Sequence, residues 1–244
     1  MLEGMYTAAA GMAAQQSRLD AVSNDLANAS TTGYKHVRVA YRDLAYTQGT
    51  AGATTALHLG AGAAATTIGR DERQGALLTT GVPLDVAIEG PGYLQVKENG
   101  KTFLTRDGHL VIDDQGRVGT ADGALLDPPI SVPKGTTDDQ ISIGSDGTFS
   151  VAGRKVGQIN LVNVPNPAGL DGGESNRFQA TTASGAASAA PRTSLLRSGE
   201  LEGSNVDMGD AMADLMDAQR SFELASKAIQ VSDQALEVAN GIKR

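Results

Sequence analysis

Both ends of the 244-residue chain carry apolar residues that recur every seven positions, whereas the middle of the chain does not. At the N-terminal end these positions are Met5, Met12, Leu19 and Leu26. At the C-terminal end they are Met208, Leu215, Phe222, Ile229 and Leu236. A seven-residue repeat predicts an amphipathic helix with a narrow apolar seam of the coiled-coil type. Each end is therefore predicted to be a helix that buries its seam against another helix.

The C-terminal repeat has a second row of small residues, three positions after each large one. This row consists of Ala211, Ala218, Ala225, Ser232 and Ala239. Small side chains let two helices approach closely, and a strip two positions in seven wide suits a helix partner better than a broad globular core. The alternative is that each helix packs on the core of its own domain. Ser204 or Asn205 is predicted to be the N-cap of the C-terminal helix, with Asp207 in its first turn.

Between the two ends, short alternating runs of apolar and polar residues are separated by turn dipeptides. These are Asn99-Gly100, Asp107-Gly108, Gln115-Gly116, Asp122-Gly123 and Asp146-Gly147. Such dipeptides supply the positive φ angles of tight hairpins, which predicts a series of antiparallel hairpins. The predicted fold class is α+β, with terminal helices forming a coiled-coil-like assembly domain and a central all-β domain of hairpins. The predicted domains are an N-terminal assembly helix (1–35), an extended connector (36–67), the central β domain (68–200) and a C-terminal assembly helix (201–244).

Composition excludes several classes of partner and site. The formal net charge of -8 and the pI of about 4.8 disfavour binding to nucleic acid or an anionic membrane, since both require a positive surface. The chain contains no cysteine, so disulfides and thiolate ligands are excluded. Glu3 stands where a secretory signal needs positive charge, and no apolar run is long enough to span a bilayer. We therefore expect no nucleic-acid partner, no direct membrane insertion and no cleaved signal peptide.

Catalytic and metal-binding patterns are weak. His36, His58 and His109 are scattered without metal-ligand spacing, and no dinucleotide or phosphate-loop motif is present. The acidic pairs Asp113-Asp114 and Asp138-Asp139 lie beside turn signals, where aspartate commonly bonds its own backbone. The sequence thus predicts a protein that is not an enzyme and has neither cofactor nor metal. Two alternatives remain. One is a hydrolase that uses acids such as Asp85 or Asp107. The other is a monomeric binding module whose two terminal helices pair with each other as a helical hairpin within one chain.

The stretch SNDLANASTTGYK, residues 23–35, ends the N-terminal helix with residues that favour turns. Asn24 and Asn28 lie in an asparagine-rich helix exit, and Gly33 is predicted to have a positive φ angle that releases the chain. An ordinary helix stop explains these residue types. We further expect Asn28 and Gly33 to set the direction in which the chain leaves the helix, so that Gly33→Val would impair assembly.

Three long stretches resemble one known family in the same order along the chain. They are YTAAAGMAAQQSRLDAVSNDLANASTTGYK, then PLDVAIEGPGYLQV with FLTRDGHLVIDDQGRVGTADG, and finally LEGSNVDMGDAMADLMDAQRSFELASKAIQVSDQAL. Together they resemble the axial proteins of the bacterial flagellum, the rod and hook family, over almost the full chain. The family usually has asparagine where this chain has Asp25. The segment that begins with YRDLAY looks more like the distal-rod type, with the proximal-rod and hook types as alternatives.

The resemblance implies a structural subunit of the flagellar basal-body rod. Such subunits leave through the type III export apparatus without a cleaved signal peptide and polymerise into a helical tube that transmits torque and encloses the export channel. The implied partners are further copies of the chain, other rod and hook proteins, and the export apparatus. A narrow seam cannot bury itself alone, so we expect the helices to become ordered on assembly. Leu19, Leu26, Phe222 and Ile229 are the predicted contacts between the seams.

Overall fold

The computed structural model describes residues 2–44, 47–48, 58–59 and 62–242. Helix α1 spans Leu2–Ala27 and helix α2 spans Met208–Ile242, and the chain between them is rich in short β-strands. The predicted α+β class, with a helix at each end and a β-rich centre, is confirmed. None of the helices in these ranges combines the length and apolar character needed to cross a membrane.

The strands of the described residues are short, and two single 3-10 turns lie among them at Asp138–Gln140 and Pro167–Gly169. The strands are β1 (Val37–Asp43), β2 (Thr47–Gln48), β3 (His58–Leu59), β4 (Ala63–Arg70), β5 (Leu77–Thr79), β6 (Val86–Glu89), β7 (Tyr93–Glu98), β8 (Lys101–Thr105), β9 (Leu110–Ile112), β10 (Val118–Thr120), β11 (Leu125–Leu126), β12 (Ile141–Ile143), β13 (Thr148–Val151), β14 (Arg154–Gln158), β15 (Leu161–Asn163), β16 (Asp171–Gly172), β17 (Arg177–Gln179), β18 (Ser188–Ala189), β19 (Leu195–Ser198) and β20 (Glu200–Glu202).

The chain divides into two compact units. The described residues of Met1–Ala27, Val37–Ile68 and Asp207–Arg244 form the first, which we call the helical unit. Asn28–His36 and Gly69–Val206 form the second, the β unit. In the helical unit β1 pairs with β4 and β2 pairs with β3. Part of the predicted connector, at 45–46, 49–57 and 60–61, lies outside the described residues.

The β unit contains a nine-stranded sheet. Its strand order is β16-β17-β8-β7-β11-β10-β9, and β15 pairs with both β7 and β18. A separate three-stranded sheet has the order β12-β13-β14, while β6 pairs with β19 and β5 with β20. All of these pairings are antiparallel, as expected for a chain of short strands joined by tight turns.

Aliphatic side chains fill the main core of the β unit, in keeping with the low aromatic content of the chain. Its fully buried centre is formed by Val86, Ile88, Leu94, Val96, Val118 and Phe149. A smaller cluster lies around Tyr93 and Phe178, whose rings meet edge to face with centroids 5.9 Å apart. Burial of aliphatic side chains from the turn-linked strands therefore holds the β unit together.

Four of the five predicted hairpin turns are confirmed. Asn99 and Gly100 both have positive φ, at 49° and 79°, and they join β7 to β8 in a two-residue turn. Gly116, Gly123 and Gly147 also have positive φ, and each lies between two paired strands. These turns form because a positive φ costs glycine almost nothing, and asparagine is among the residues that tolerate it best.

The hairpin predicted at Asp107-Gly108 is wrong. β8 pairs with β7 and β17, and β9 pairs with β10, so the two strands that flank this dipeptide do not pair with each other. Gly108 instead lies against the backbone of β6: a Cβ atom there would be 1.6 Å from the carbonyl oxygen of Val86. The glycine is required for close approach between segments, and Asp107 accepts a hydrogen bond from the Thr32 hydroxyl at 2.8 Å.

The predicted N-cap of α2 is also wrong by two or three residues. The Asp207 carboxylate accepts hydrogen bonds from the backbone N–H groups of Gly209 and Asp210, at 2.8 and 3.0 Å, which makes Asp207 the cap. The Asn205 side chain cannot cap the helix because it bonds other segments. Its Oδ1 accepts from the His36 N–H, and its Nδ2 donates to the carbonyl of Asp71.

Asp113 is held in a turn by its own neighbours, as predicted. Its carboxylate accepts hydrogen bonds from the backbone of Gln115 and Arg117 and from Arg117 Nε. The bond from the Arg117 backbone is the largest cause that lowers the Asp113 pKa below its ordinary 3.8, and the Thr148 backbone lowers the Asp146 pKa in the same way.

The lowered pKa values predict that acid destabilises the β unit. A carboxyl group whose folded pKa is depressed stabilises the fold above its unfolded pKa, and this contribution is lost as the pH falls through the folded pKa. The free energy of unfolding should therefore decrease below about pH 3.8. Calorimetry between about pH 5 and pH 2 would measure this decrease in the free energy of unfolding. The decrease should be smaller in the Asp113→Ala variant. The exposed neighbour Asp114, replaced by Ala, is the control. Equal acid sensitivity in both variants would contradict the assignment.

Candidate functional site: the terminal helices and a buried ion cluster

Helices α1 and α2 contact each other in the helical unit. The charged groups of Arg18 and Asp214 form an ion pair between them, with Arg18 Nη2 2.5 Å from Asp214 Oδ1. Both side chains are partly exposed, so this pair contributes little to stability but restricts the register of the two helices. The two predicted helices are thus neighbours within one chain.

The buried side chains of the two helices include three alanines. Ala14 of α1 is 4% exposed, and Ala211 and Ala218 of α2 are 8% and 0% exposed. The large seam residues are only half-buried, and these are Met5, Met12, Leu19, Leu26, Leu215, Phe222 and Ile229. Met208 is 50% exposed. The side chain of Leu236 lies outside the described residues.

This burial pattern has a simple cause. Two helices approach most closely where both present small side chains, so the alanines lie at the contact and larger side chains lie at its edges. A half-buried Leu, Phe or Ile retains apolar surface that can be covered by a further partner. The single chain therefore leaves part of the predicted seam accessible.

The predicted helix-exit residues fall in different units. Asn24 lies in the last two turns of α1, whereas Asn28 and Gly33 belong to the β unit. The carbonyl and the side-chain oxygen of Asn28 accept from the backbone N–H and the hydroxyl of Thr31, at 3.0 and 3.1 Å. Asp25 is buried, and its carboxylate accepts a hydrogen bond from the Val37 N–H at 3.1 Å.

Gly33 has a φ of 65° and is enclosed by backbone. Its N–H donates to the carbonyl oxygen of Glu202 at 2.7 Å. A Cβ atom at position 33 would lie 2.6 Å from the carbonyl carbon of Arg106 and 2.7 Å from the Asp107 nitrogen. Both the positive φ and the lack of space therefore require glycine, because backbone atoms cannot move aside as a flexible side chain can.

Gly33→Ala is expected to destabilise the β unit more than Gly81→Ala does. Gly81 also has a positive φ, 74°, but no atom lies within 4 Å of the position that a Cβ would take there. The control substitution should cost about 1–2 kcal/mol from the backbone angle alone. At Gly33 the clash adds to this cost, and thermal unfolding of the two variants would measure the difference. Equal melting temperatures would contradict the close packing of Gly33.

Three charged side chains meet in the interior of the β unit beside Gly33. Lys35, Arg106 and Glu202, which we call the junction clamp, are 1%, 3% and 1% exposed. Lys35 Nζ lies 2.6 Å from Glu202 Oε1, and Arg106 Nη1 lies 3.0 Å from Glu202 Oε2. One carboxylate thus pairs with two buried cations.

The clamp connects the segments of the β unit that adjoin the helical unit in sequence. Lys35 also donates to the Arg73 carbonyl at 2.7 Å, and the Gly75 N–H donates to Glu202 Oε1 at 3.0 Å. Asn205 adds bonds from its side chain to residues 36, 71 and 73. The chain segments 33–36, 71–76 and 202–205 are therefore held together at one place.

Burial has the largest effect on the one clamp cation that is a lysine. Burial lowers the pKa of Lys35 below its ordinary 10.5, although the hydrogen bond and the charge of Glu202 oppose this shift. Arg106 also donates to the Gly90 carbonyl and lies over the Tyr93 ring, 5.5 Å from its centroid. Burial raises the Tyr93 pKa, and the Tyr93 hydroxyl donates to Glu72 Oε2 at 2.7 Å.

Sequence reasoning assigned no role to the three clamp residues. Lys35 ends the quoted helix-exit stretch, but nothing in a single sequence distinguishes it from a surface lysine. Arg106 and Glu202 follow strand-like runs, and isolated charges at strand ends are common on surfaces. The glycine and asparagine beside them, Gly33 and Asn205, are the only local signals of a special backbone environment.

The acids of the alternative hydrolase hypothesis have structural partners. Asp85 is buried, and its Oδ1 lies 2.8 Å from His109 Nδ1. Asp107 bonds Thr32 and the His109 backbone. Among the residues that the structure describes, no group of three or more His, Asp or Glu side chains could hold a metal ion.

Three family models match the chain, and together they span both helices and part of the β unit. Residues 5–35 match the flagella basal body rod protein model. Residues 87–151 match the D1 domain of the flagellar hook protein FlgE/F/G, and residues 197–242 match the C-terminal model of the flagellar basal body rod FlgEFG proteins. The matches include Gly33, Lys35, Arg106 and Glu202, so the clamp lies within the matched segments.

Curated relatives are similar over the full length. The flagellar basal-body rod protein FlgG of Caulobacter vibrioides is 36% identical over 99% of this chain and 100% of its own length. The FlgG proteins of Borreliella burgdorferi and Bacillus subtilis are each 36% identical over all of both chains. The flagellar hook-basal body complex protein FlhP of Bacillus subtilis is 32% identical over the same extent.

Proposed function

We infer the function from one premise: the chain belongs to the flagellar rod and hook family, and among its relatives it is most like the rod proteins named FlgG. It is a structural subunit of the flagellar basal-body rod. Its place is the flagellum, and its family has a structural role rather than a catalytic one. The resemblance to these three FlgG proteins over the full length favours the distal-rod type among the alternatives.

Our proposal is that copies of this subunit polymerise into a helical tube that transmits torque and encloses the export channel. This proposal rests on the half-buried seam residues. Leu215, Phe222 and Ile229 keep apolar surface in the single chain, and covering that surface between copies would drive association. Repeated contacts between unlike surfaces extend a filament rather than closing a ring.

The further partners are other rod and hook proteins at the ends of the polymer and the type III apparatus that exports the chain. Family membership supports both. Coiled-coil packing of the two seams and ordering of the helices on assembly belong to the same proposal. The clamp supports a rigid β unit, because residues 33–36 and 202–205 are bonded to each other and not only to their own strands.

The alternative of a monomeric binding module has one observation in its favour, the contact between α1 and α2 within one chain. Concentration dependence separates the two functions. We expect purified protein to form straight rods on concentration, visible by negative-stain electron microscopy, with sedimentation that depends on concentration. A protein that remains a monomer with full helicity from dilute to concentrated solution would support the binding module instead. Imaging of the native basal body would locate the subunit along the axis.

A further inference from the structure

The β unit contains an open groove of about 690 Å³, and its lining includes none of the clamp residues and no residue of either helix. Three neighbouring strands provide one part of the lining, through Gln95 of β7, Leu161 of β15 and Ala189 of β18. The lining residues outside these strands lie at 145–147, 158–160, 190–192 and 194–196. Sites of about 300–1,000 Å³ hold small ligands, so this groove is large enough for a short peptide or a molecule of similar size.

Backbone hydrogen bonds hold the walls of the groove in place. The Leu196 N–H donates to the carbonyl oxygen of Ser145 at 3.0 Å. The Ile159 N–H donates to the carbonyl oxygen of Gly147 at 2.7 Å. Gly147 has a φ of 82°, and a Cβ atom at this position would lie 2.2 Å from the Ile159 carbonyl oxygen. The groove is therefore formed before any ligand binds, which lowers the entropy cost of binding.

The groove has polar side chains that no protein group uses. Arg192, Asn160 and Ser145 line it with exposed side chains, and none of these side chains bonds a residue that the structure describes. Asp146, the other charged residue of the lining, is already bonded. Its carboxylate accepts from the N–H and the hydroxyl of Thr148 at 3.0 and 2.8 Å. The Arg192 guanidinium is thus the charge that a ligand can pair with, which favours an anionic ligand.

Arg192 lies in a tight turn that leads into an exposed leucine. The Ser194 N–H donates to the Pro191 carbonyl oxygen at 2.9 Å and closes the turn. Leu195 follows directly, is 41% exposed, and also lines the groove. A guanidinium can bind both oxygens of a carboxylate, and a leucine side chain offers apolar contact. The last residue of a peptide presents a carboxylate and a side chain from one carbon atom, so it matches this pair.

The other lining groups suit a peptide better than a nucleotide. The Asn160 carboxamide can both donate to and accept from a peptide group. Every lining residue belongs to the described part of the chain, and these residues include no aromatic ring on which a base could stack. Arg192 is their single cation, whereas phosphate groups are commonly bound by several cations or by the N–H groups of a helix N-terminus.

We propose that this groove binds the carboxyl terminus of a peptide segment of another protein. The terminal carboxylate pairs with Arg192, an aliphatic last side chain contacts Leu195, and the preceding peptide groups bond Asn160. The inference goes beyond the proposed function, because the whole groove lies within the β unit of one subunit and is open without polymerisation.

A pair of matched peptides tests the assignment on dilute, monomeric full-length protein. The probe is Ac-Ser-Val-Ala-Ser-Leu with a free carboxylate, and its control is the same peptide with a C-terminal amide. Isothermal titration calorimetry measures binding of both peptides to the wild type, to Arg192→Gln and to Arg154→Gln. Arg154 is exposed on β14 outside the groove, and its side chain bonds no residue that the structure describes.

We expect Arg192→Gln to weaken binding of the carboxylate peptide about ten- to hundredfold, the effect of losing a charge-assisted hydrogen bond. Arg154→Gln should bind it as the wild type does, and the amide peptide should bind all three proteins equally weakly. Both variants should melt at the wild-type temperature, because neither arginine side chain bonds the rest of the fold.

Three results would overturn the inference. They are no binding of the carboxylate peptide at millimolar concentration, equal affinity of the wild type for the two peptides, and an equal loss of affinity in both arginine variants. Binding that occurs only in polymerised protein would also overturn it, because the site would then lie between copies. None of these results bears on polymerisation, which sedimentation of the wild type without peptide measures separately.

Discussion

Glu202→Leu is expected to lower the free energy of unfolding of the β unit by about 3–5 kcal/mol, because it leaves two buried cations without their carboxylate. Lys35 and Arg106 are each at most 3% exposed, so water cannot replace the lost partner. Calorimetry or chemical denaturation followed by circular dichroism would measure the loss.

The pH dependence of Glu202→Leu provides a second measurement. The Lys35 pKa is already lowered by burial, and loss of Glu202 removes the interactions that oppose this shift. The folded variant then binds fewer protons than the unfolded chain below pH 10.5, so its stability rises as the pH is raised toward that value. The difference in free energy of unfolding between the wild type and Glu202→Leu should therefore become smaller at alkaline pH.

Two control proteins distinguish the clamp from an ordinary surface pair. Glu89→Leu removes the carboxylate of the exposed pair with Arg197 and should lower the melting temperature far less than Glu202→Leu does, because an exposed ion pair contributes little to stability. Replacing all three clamp residues by Met or Leu removes both cations as well as the anion, and should recover much of the lost stability. If Glu202→Leu melted at the wild-type temperature, the three charges would not be a buried cluster in solution.

Ile229→Asp is expected to prevent polymerisation while the β unit melts at its wild-type temperature. Ile229 lies in the helical unit, half-buried on the C-terminal seam, so its effect should not reach the separate core of the β unit. Burial of such a side chain contributes about 1.5–3 kcal/mol, and an unpaired carboxylate in its place costs more. The concentration needed for polymerisation should rise more than about a thousandfold. Leu19→Asp should also prevent polymerisation and leave the melting temperature of the β unit unchanged.

Matched variants test whether the loss is specific to the seam. Gln230→Asp adds the same charge at the next, exposed residue of α2. Asp20→Ala and Glu237→Ala remove exposed charges that lie outside the two predicted seams. All three should polymerise at wild-type concentrations in sedimentation and microscopy. Normal polymerisation of Ile229→Asp, or a lower melting temperature of its β unit, would favour packing of α2 on an ordinary domain core.

Local signals predicted most of the secondary structure. The seven-residue repeats lie within α1 and α2, and Asn99-Gly100 forms a two-residue hairpin turn. Asp107-Gly108 shows the limit of such signals. The same residue types that make a hairpin can also provide a close approach between distant segments, and Gly108 does so against Val86.

The candidate site was predicted only in part. The helices and the positive φ of Gly33 followed from residue types, but the clamp did not. Lys35 and Glu202 are 167 residues apart, and Arg106 and Glu202 are 96 apart.

The sequence by itself determined the helices, most turns and the family, because periodicity and turn chemistry act over a few neighbouring residues and three long motifs occur in one order. Only the tertiary structure decided which charges are buried together and which apolar stripe stays exposed. Glu202 pairs with Lys35 and Arg106 only because folding brings together segments that are far apart in the sequence. Burial depends on how the whole chain packs, so the residue type of a single lysine or leucine does not predict whether it is buried.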